Sequence, residues 1–382
     1  MKKRILIIGA GISGLASALM LEKIGYKPVI FEKSDCSRND GGGLTLWSNA
    51  TDALHSMGLL EEIYQNSKVI SESTLKTSSG QTLATIPLRE LATKYGTHTV
   101  GILRANLHHI LASNLKQTEI KKGYRLVDLK ETNEEVIARF ENGHEQAGDL
   151  LLGADGIYSA VRNKIFPNNS LRFSGYEAWR GISTYTDQYT KSGLAFEAWG
   201  NGMRFGFIPM SDSLVYWFAT RNTSENLSEG QISKEQLTHT FREFVEPVPT
   251  VIKVTKEKDI TRKVIYDLKP LQNWSKGRVL LIGDAAHPTT PNLGQGACMA
   301  LEDAVILAQT LEKGNSISHT VKTFEDMRMD RAKFIVNSSW VLGKIAQIEN
   351  KLFCDVRNRL VKIGPSIQRN SNFNRIIGHK IL

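Results

Sequence analysis

The chain has 382 residues and a mass of 42.6 kDa, with 41% apolar and 23% charged residues. These values are typical of a globular protein and exclude a disordered or collagen-like chain, and the length predicts two or three domains. Cys36, Cys298 and Cys354 are widely spaced, which excludes a disulfide framework or a CxxC metal site and favours a reducing, cytoplasmic setting.

Positive charge is concentrated near the carboxyl terminus. The net charge is +9, and residues 344–382 hold eight basic and two acidic residues, so the rest of the chain is nearly balanced. A nucleic-acid-binding protein is expected to show a basic face interleaved with aromatic residues, or a known binding motif, and the sequence has neither. We therefore expect no nucleic-acid partner.

The amino terminus fits two interpretations. Charged residues 1–4 followed by apolar residues 5–21 are typical of a secretory signal. The same stretch also fits a buried strand, a Gly9-Ala-Gly11-Ile-Ser-Gly14 turn, a helix and a second apolar strand that ends at Glu32. Such a turn lets the backbone approach a pyrophosphate, and an acidic residue at about this distance reaches a ribose, so we favour dinucleotide binding. No other apolar run approaches the length of a membrane-spanning helix.

Two later segments repeat the pattern of a buried strand followed by a carboxylate. Residues 277–282 lead into Gly283-Asp284, and after Pro291 and Gly294 a helix is predicted from Ala297 to Leu311. A carboxylate there can accept hydrogen bonds from ribityl hydroxyls, and the helix can direct its amino terminus at the pyrimidine edge of a flavin. The other segment is residues 150–162, with Asp155-Gly156, Ser159 and Arg162.

In this order and at these separations, the motifs resemble the single-component FAD-dependent aromatic hydroxylases, which have the para-hydroxybenzoate hydroxylase fold. Residues 41–49 and 291–303 are most similar to the salicylate hydroxylase, urate hydroxylase and zeaxanthin epoxidase branch. The resemblance implies an α/β fold with a Rossmann-like FAD-binding domain, an antiparallel substrate sheet and a helical tail. The predicted divisions are residues 1–70, 97–168 and 277–340 for FAD, 71–96 and 169–276 for substrate, and 341–382 for a basic amphipathic tail.

The resemblance also implies roles for individual residues. The glycine turn would hold the FAD pyrophosphate, Glu32 the adenosine ribose and Asp284 the ribityl chain. Arg104 would contact the phosphate or ribityl region, although a surface position is an alternative. Asp155 and Arg162 would serve FAD or a nicotinamide nucleotide, with a structural ion pair as the alternative for Arg162. The cofactor-binding residues implied are Gly9, Gly11, Ser13, Gly14, Glu32, Lys33, Gly43, Arg104, Asp155, Arg162, Asp284, Pro291, Gly294, Gly296 and Ala297.

Residues 171–274 are rich in aromatic side chains and in short alternating stretches, which predict an antiparallel sheet that covers the flavin. Arg180 and Arg204 could hold an anionic or carbonyl-bearing substrate, or could lie at the surface. Tyr216 is a third candidate for substrate contact, with ordinary core packing as its alternative. His287 is not expected to be catalytic.

We expect an FAD-dependent monooxygenase that consumes NADPH or NADH and hydroxylates or epoxidises an aromatic or conjugated small molecule. The resemblance implies a flavin hydroperoxide as the oxygen donor, and this chemistry explains why no catalytic triad or metal cluster is visible. The alternatives are a flavin dehydrogenase or reductase that inserts no oxygen, and a flavoprotein without catalytic activity. The protein is expected to be a cytoplasmic monomer or homodimer with no bound metal.

The tail contains one strong helical pattern. Apolar residues recur every three or four positions up to Gly364-Pro365, which predicts an amphipathic helix. This helix could pack its apolar face on the body, or lie on an anionic membrane as a peripheral contact. The apolar positions are Ile345, Ile348, Leu352, Val356, Leu360 and Ile363.

Overall fold

A computed structural model describes residues 3–35, 42–225, 233–314, 316–364 and 371–379 of the chain. Cys36 and Gly41, which the sequence analysis used, lie outside these residues. Within the described ranges, every helix is too short or too polar to cross a bilayer.

The elements alternate between strands and helices over the first half of the chain, and the last third is mostly helical. The strands are β1 (Ile5–Ile8), β2 (Val29–Glu32), β3 (Gly43–Leu46), β4 (Lys68–Val69), β5 (Glu72–Thr77), β6 (Thr82–Ile86), β7 (Val100–Leu103), β8 (Glu119–Lys122), β9 (Leu126–Glu131), β10 (Val136–Phe140), β11 (Glu145–Gly148), β12 (Leu150–Gly153), β13 (Arg172–Thr184), β14 (Leu194–Trp199), β15 (Met203–Pro209), β16 (Leu214–Asn222), β17 (Ile260–Asp267), β18 (Ser275–Lys276) and β19 (Val279–Leu281). The helices are α1 (Ile12–Lys23), α2 (Ser48–Ser56), α3 (Leu60–Gln65), α4 (Leu88–Tyr95), α5 (Arg104–Ser113), α6 (Ala160–Ile165), α7 (Gln188–Ser192), α8 (Lys234–Thr240), α9 (Val248–Val254), α10 (Gly296–Glu312), α11 (Ile317–Ala346), α12 (Lys351–Ile363) and α13 (Ser371–Ile377), with short 3₁₀ turns at Gly283–Ala285 and Pro291–Leu293.

The first sheet has the order β18-β19-β12-β1-β2-β8 and is parallel except at β18. All four residues of β1 are buried, as expected for a central parallel strand that is covered on both faces. Helix α1 packs against α10 beside this sheet. Because the carboxyl ends of β1, β12 and β19 lie at one edge, Gly9, Asp155 and Asp284 follow neighbouring strands.

The second sheet has the order β17-β13-β16-β15-β14-β5-β6. Its strands pair antiparallel, as predicted, except that β14 and β5 are parallel. One face carries Phe205, Phe207 and Trp217, which pack on α8 and α9 with residues such as Phe241 and Val251. The opposite face is turned toward the small sheet formed by β3, β7 and β4, since Tyr216 on that face packs on Gly43 of β3. The predicted α/β fold with a second, largely antiparallel sheet is confirmed.

Two small sheets complete the architecture. Strands β11-β10-β9 form one of them, and β3-β7-β4 form the other. The second of these contacts the large sheet, because a side chain at Gly101 of β7 would overlap the carbonyl oxygen of Pro209 on β15. Glycine is thus required where these two sheets approach each other.

The tail differs from the prediction in two ways. The chain is not one helix from Ile345 onward, because α11 ends at Ala346 and the Asn350 side chain caps the amino terminus of α12. Of the two alternatives for the apolar face, packing on the body does not hold for α12, where the buried side chains are Cys354 and Arg357. The predicted apolar positions Leu352, Val356, Leu360 and Ile363 are exposed to solvent.

Candidate active site

The turn between β1 and α1 contains three glycines. A side chain would collide with the backbone at two of them and would have free space at the third. Gly9 has φ +107°, and a Cβ there would lie 2.5 Å from the carbonyl oxygen of Ala154. A Cβ at Gly14 would overlap the Gly9 carbonyl oxygen. Apart from Gly11 itself and its two chain neighbours, no described atom lies within 4 Å of the Cβ position at Gly11. The backbone at Gly11 therefore borders open space that a phosphate could enter.

The amino terminus of α1 has polar groups that the described residues leave unused. Gly11 precedes the helix and offers no side-chain cap, and the first turn carries no acidic residue. The Ser13 hydroxyl is buried and has no hydrogen-bond partner among the described residues. Free N–H groups and a positive dipole end favour an anion, so these residues fit the diphosphate of FAD.

Glu32 lies beside the same turn. Its Oε2 accepts a hydrogen bond from the Ala10 N–H at 2.9 Å, and its Oε1 accepts one from the Ser34 N–H at 2.9 Å. Each carboxylate oxygen has a second lone pair, so these bonds orient Glu32 and leave it able to accept from ribose hydroxyls. Lys33 follows at an exposed position. The His108 side chain supports the turn, since its Nε2 lies 2.9 Å from the Ala10 carbonyl oxygen.

Asp284 and Arg104 come together although 180 residues separate them. The Asp284 side chain is exposed on one side and surrounded by protein on the others, and this partial desolvation raises its pKa. The neighbouring His287, Arg104 and Arg162 side chains lower the pKa of Asp284 and so oppose the rise. Oδ1 of Asp284 also lies 3.8 Å from the Cβ position at Gly296, the first residue of α10. The carboxylate and the start of α10 thus border one space, and Arg104 is near enough for its charge to act on Asp284.

Asp155 and Arg162 make hydrogen bonds to other parts of the protein in this structure. Asp155 Oδ2 accepts from the N–H groups of Ala160 and Val161 at 2.7 and 3.1 Å, which caps α6. Arg162 is buried, and its Nη1 donates to the Ala285 carbonyl oxygen at 3.0 Å. Arg162 therefore braces the turn that carries Asp284, and the sequence-based alternative of a purely structural arginine has geometric support.

The amino terminus of α10, like that of α1, has no side-chain cap. Gly294 has φ +62°, a conformation that favours glycine, and Gln295 provides no side-chain cap for the helix that starts with Gly296 and Ala297. Pro291 is exposed at the start of this loop. The indole N–H of Trp47, near Gly294, is buried and unpartnered within the described chain.

A buried network of charges supports this loop, and the sequence analysis did not predict it. Arg328 Nη1 lies 2.6 Å from Glu302 Oε2, Arg328 Nε lies 2.8 Å from Asp303 Oδ1, and Arg331 Nη2 lies 2.6 Å from Glu302 Oε1. Burial alone would raise the pKa of Glu302, but the two arginines lower it to about 2. Burial opposes ionisation of Asp303 as well, yet His287 and Arg328 hold its pKa well below the usual range.

The network connects distant parts of the chain to the site. Asp303 Oδ2 accepts from the Gly283 N–H at 2.9 Å, next to Asp284. Arg331 donates to the carbonyl oxygen of Ile376 at 3.0 Å, which ties α13 to α11. The sequence contained an indication of this network. Glu302 and Asp303 interrupt a largely apolar stretch of α10, and Arg328 and Arg331 are three residues apart on one face of α11.

On the large sheet, all three predicted substrate residues, Arg180, Arg204 and Tyr216, lie on one face. Arg180 lies opposite Phe218 and Ile182 lies opposite Tyr216 in the antiparallel register, so all four point to the same side. Burial raises the pKa of Tyr216, and the positive charge of Arg180 opposes the rise. Arg180 is half-buried, and no hydrogen bond or ion pair engages its guanidinium among the described residues.

Arg204, the third candidate, lies neither at the surface nor free for a ligand. Its side chain is 2% exposed, and Nη2 donates to Asn292 Oδ1 at 2.7 Å, Nη1 to Glu197 Oε1 at 3.1 Å and Nε to Gln347 Oε1 at 2.9 Å. The surface alternative is therefore wrong. A buried guanidinium needs such partners, and here they belong to the protein itself.

Comparison with known proteins identifies relatives of nearly full length. The family described as FAD binding domain matches residues 2–339. Aurachin C monooxygenase/isomerase from Stigmatella aurantiaca is 32% identical over 95% of this chain and 94% of its own length. The 2-heptyl-3-hydroxy-4(1H)-quinolone synthase of Pseudomonas aeruginosa is 33% identical over 97% of both chains. Among solved structures, Klebsiella pneumoniae HpxO complexed with FAD and uric acid superposes with a TM-score of 0.89 at 24% identity, covering 98% of this chain and 97% of that one.

Proposed function

We propose a substrate class for this chain on the premise that it belongs to the FAD binding domain family and is an FAD-dependent monooxygenase. The family covers most of the sequence, and the full-length relatives confirm the predicted monooxygenase against the dehydrogenase alternative. FAD and a nicotinamide reductant are accordingly its cofactors. The proposed substrate is a bicyclic heteroaromatic ring of the 4-quinolone type that carries an apolar chain.

The chain's own residues fit FAD as follows. The open space at Gly11 and the first turn of α1 would hold the diphosphate, Glu32 the adenosine ribose and Asp284 the ribityl hydroxyls. Arg104 would lie near the ribityl or phosphate groups, since it is close enough to Asp284 to affect its pKa. FAD reduced by NAD(P)H supplies the activation of dioxygen, which amino-acid side chains alone cannot provide.

The large sheet would bind and orient the substrate. Ile182, Tyr216 and Phe218 give one face an apolar character that excludes water. Arg180 is a cation on that face whose guanidinium has no hydrogen bond or ion pair within the described chain, and a guanidinium donates well to a polarised carbonyl oxygen. The N–H groups at the start of α10 would stabilise negative charge that develops in the space beside Asp284.

The quinolone class rests on one relative together with this geometry. The product of that relative, 2-heptyl-3-hydroxy-4(1H)-quinolone, has a ring whose C3 lies between a carbonyl carbon and the carbon bonded to the ring nitrogen. Nitrogen donation makes such a carbon nucleophilic, so it can take up an electrophilic oxygen without a protein nucleophile. An arginine that binds the C4 carbonyl oxygen, beside an apolar surface for the alkyl chain, suits this substrate.

Substrate-stimulated consumption of NAD(P)H and dioxygen tests the proposal. Purified FAD-loaded protein is mixed with 2-heptyl-4(1H)-quinolone, with 4-quinolone lacking the chain, or with uric acid. We expect the alkylated compound to stimulate both uptakes most strongly and its product to gain one ¹⁸O atom from labelled dioxygen. Equal stimulation by uric acid, or an unlabelled product, would overturn the proposed substrate class.

We also propose a cytoplasmic location and a monomeric or homodimeric state. Cys298 and Cys354 are buried free thiols, as suits a reducing compartment. The need for NAD(P)H agrees with that setting.

A further inference from the structure

Helix α12 carries its apolar face on the outside of the protein. A helix on a globular domain normally buries such a stripe, and large apolar side chains exposed together mark an interaction surface. Within the described chain, nothing covers these residues, whose exposed fractions run from 53% to 78%. The apolar stripe consists of Leu352, Phe353, Val356, Leu360 and Ile363.

The opposite face of α12 fixes the helix in this orientation. Arg357 is buried and donates to the carbonyl oxygens of Ala346 at 3.1 Å and Gly200 at 3.4 Å. Its guanidinium lies 5.0 Å from the centre of the Trp199 ring. Cys354 is buried beside it. Because polar contacts anchor the helix, its apolar stripe stays turned outward.

The charges around the stripe determine which partner it fits. Lys351, Arg359 and Lys362 are exposed on α12, against the single exposed carboxylate of Asp355. At 100° per residue, all four lie on one flank of the apolar stripe. Two antiparallel copies of this helix, packed stripe to stripe about a twofold axis perpendicular to them, would bring the cations of both to the same side. An anionic lipid surface instead accepts the apolar stripe and attracts the cations.

We propose that α12 binds the protein to anionic membranes as a helix lying in the plane of the interface. The contact is peripheral, since no described helix is suited to span a bilayer. The helix is also connected to the large sheet. Arg357 lies over Trp199, the Trp199 indole N–H donates to Glu197 at 2.7 Å, and Glu197 pairs with Arg204. The membrane contact thus places the substrate sheet near a lipid surface, where compounds with apolar chains are concentrated.

Vesicle flotation with the full-length FAD-loaded protein tests the proposal. We expect binding to vesicles of phosphatidylcholine and phosphatidylglycerol at 7:3, and much weaker binding to phosphatidylcholine alone. Phe353→Ser with Leu360→Ser should lower partitioning about tenfold, because the apolar area that enters the interface is lost. Val127→Ser with Val254→Ser is the matched control, since it removes two exposed apolar side chains from β9 and α9.

The contribution of the α12 cations to membrane binding is tested separately. Replacing Lys351, Arg359 and Lys362 with glutamine should reduce binding to the anionic vesicles on the order of a hundredfold at low salt. Circular dichroism and FAD content should be unchanged in both sets of variants, since all the replaced side chains are exposed. Wild-type protein that fails to float with anionic vesicles would overturn the proposal. So would a stable dimer in sedimentation that Phe353→Ser with Leu360→Ser dissociates. Vesicle flotation uses no substrate, so a failure of the membrane proposal leaves the proposed function to be decided by the oxidation assay.

Discussion

Arg204 on β15 donates a hydrogen bond from Nη2 to Oδ1 of Asn292 at 2.7 Å, which joins the large sheet to the loop that precedes α10. The Tyr176 hydroxyl donates to the same Asn292 oxygen at 2.9 Å. Glu197 balances the charge of the guanidinium. The relative position of the substrate sheet and the Pro291–Leu293 turn thus depends on a buried arginine.

The first prediction concerns this arginine. Arg204→Met should lower the free energy of unfolding by about 3 kcal/mol, because Glu197 and Asn292 lose a buried partner. Substrate turnover should fall as the loop loses its position. Urea unfolding and steady-state kinetics measure the two effects. Arg139→Met is the control, since its pair with Glu145 is about half exposed, and it should cost under about 1 kcal/mol.

The second prediction separates cofactor binding from folding at the glycine turn. Gly11→Val should leave the protein folded, because the space around the Cβ position is open and φ is −76°. The valine side chain would occupy the path of the diphosphate, so the purified protein should be colourless. Gly14→Val should instead lose both FAD and much of its stability, because the side chain would overlap the Gly9 carbonyl oxygen. Flavin absorbance and thermal melts distinguish the cases, and a yellow Gly11→Val protein would contradict the assignment.

The first βαβ unit and the two later strand-carboxylate motifs could be predicted because their signals are local. Burial of β1, the turn glycines and the carboxylate at Glu32 all follow from residues close together in sequence. The division into domains and the cofactor and substrate contacts of all the predicted site residues remain predictions.

The ion network and the orientation of α12 could not be predicted, for different physical reasons. Glu302 meets Arg328 only because α10 packs against α11, and a charged pair in separate helices is indistinguishable from two solvated side chains in sequence. In α12, apolar periodicity shows that a stripe exists but not which side meets the body. The orientation of the helix depends on the hydrogen bonds from Arg357 to the Gly200 and Ala346 carbonyl oxygens.

The third prediction is loss of stability in acid. The pKa of Glu302 is lowered from 4.5 to about 2 in the folded protein, so the unfolded chain takes up the proton first as the pH falls. The stabilisation is complete above about pH 4.5 and is lost as the pH falls toward 2. Urea unfolding between pH 5.5 and 3 should show a declining free energy.

Glu302→Gln should reduce that pH dependence and also lower stability at pH 7 by about 3–5 kcal/mol, because Arg328 and Arg331 are left buried without their carboxylate. Lys322→Gln, which removes an exposed helical pair with Asp326, should change neither quantity appreciably. An unchanged pH dependence in Glu302→Gln would show that other carboxylates account for the acid sensitivity.

The last prediction concerns Arg180, the half-buried cation on the apolar face of the large sheet. If its guanidinium holds the substrate carbonyl, Arg180→Gln removes a charge-assisted hydrogen bond and should lower kcat/KM roughly 10–100-fold. Stability should change little, because no described residue depends on that guanidinium for a hydrogen bond. Slow NAD(P)H oxidation without substrate should persist, since Arg180 is not among the residues expected to hold FAD. Arg180→Lys should recover part of the loss, because the charge remains but the planar donor pair does not. Arg139→Gln removes the same charge from a distant sheet and controls for net charge. Wild-type kcat/KM in Arg180→Gln would exclude the arginine from substrate binding.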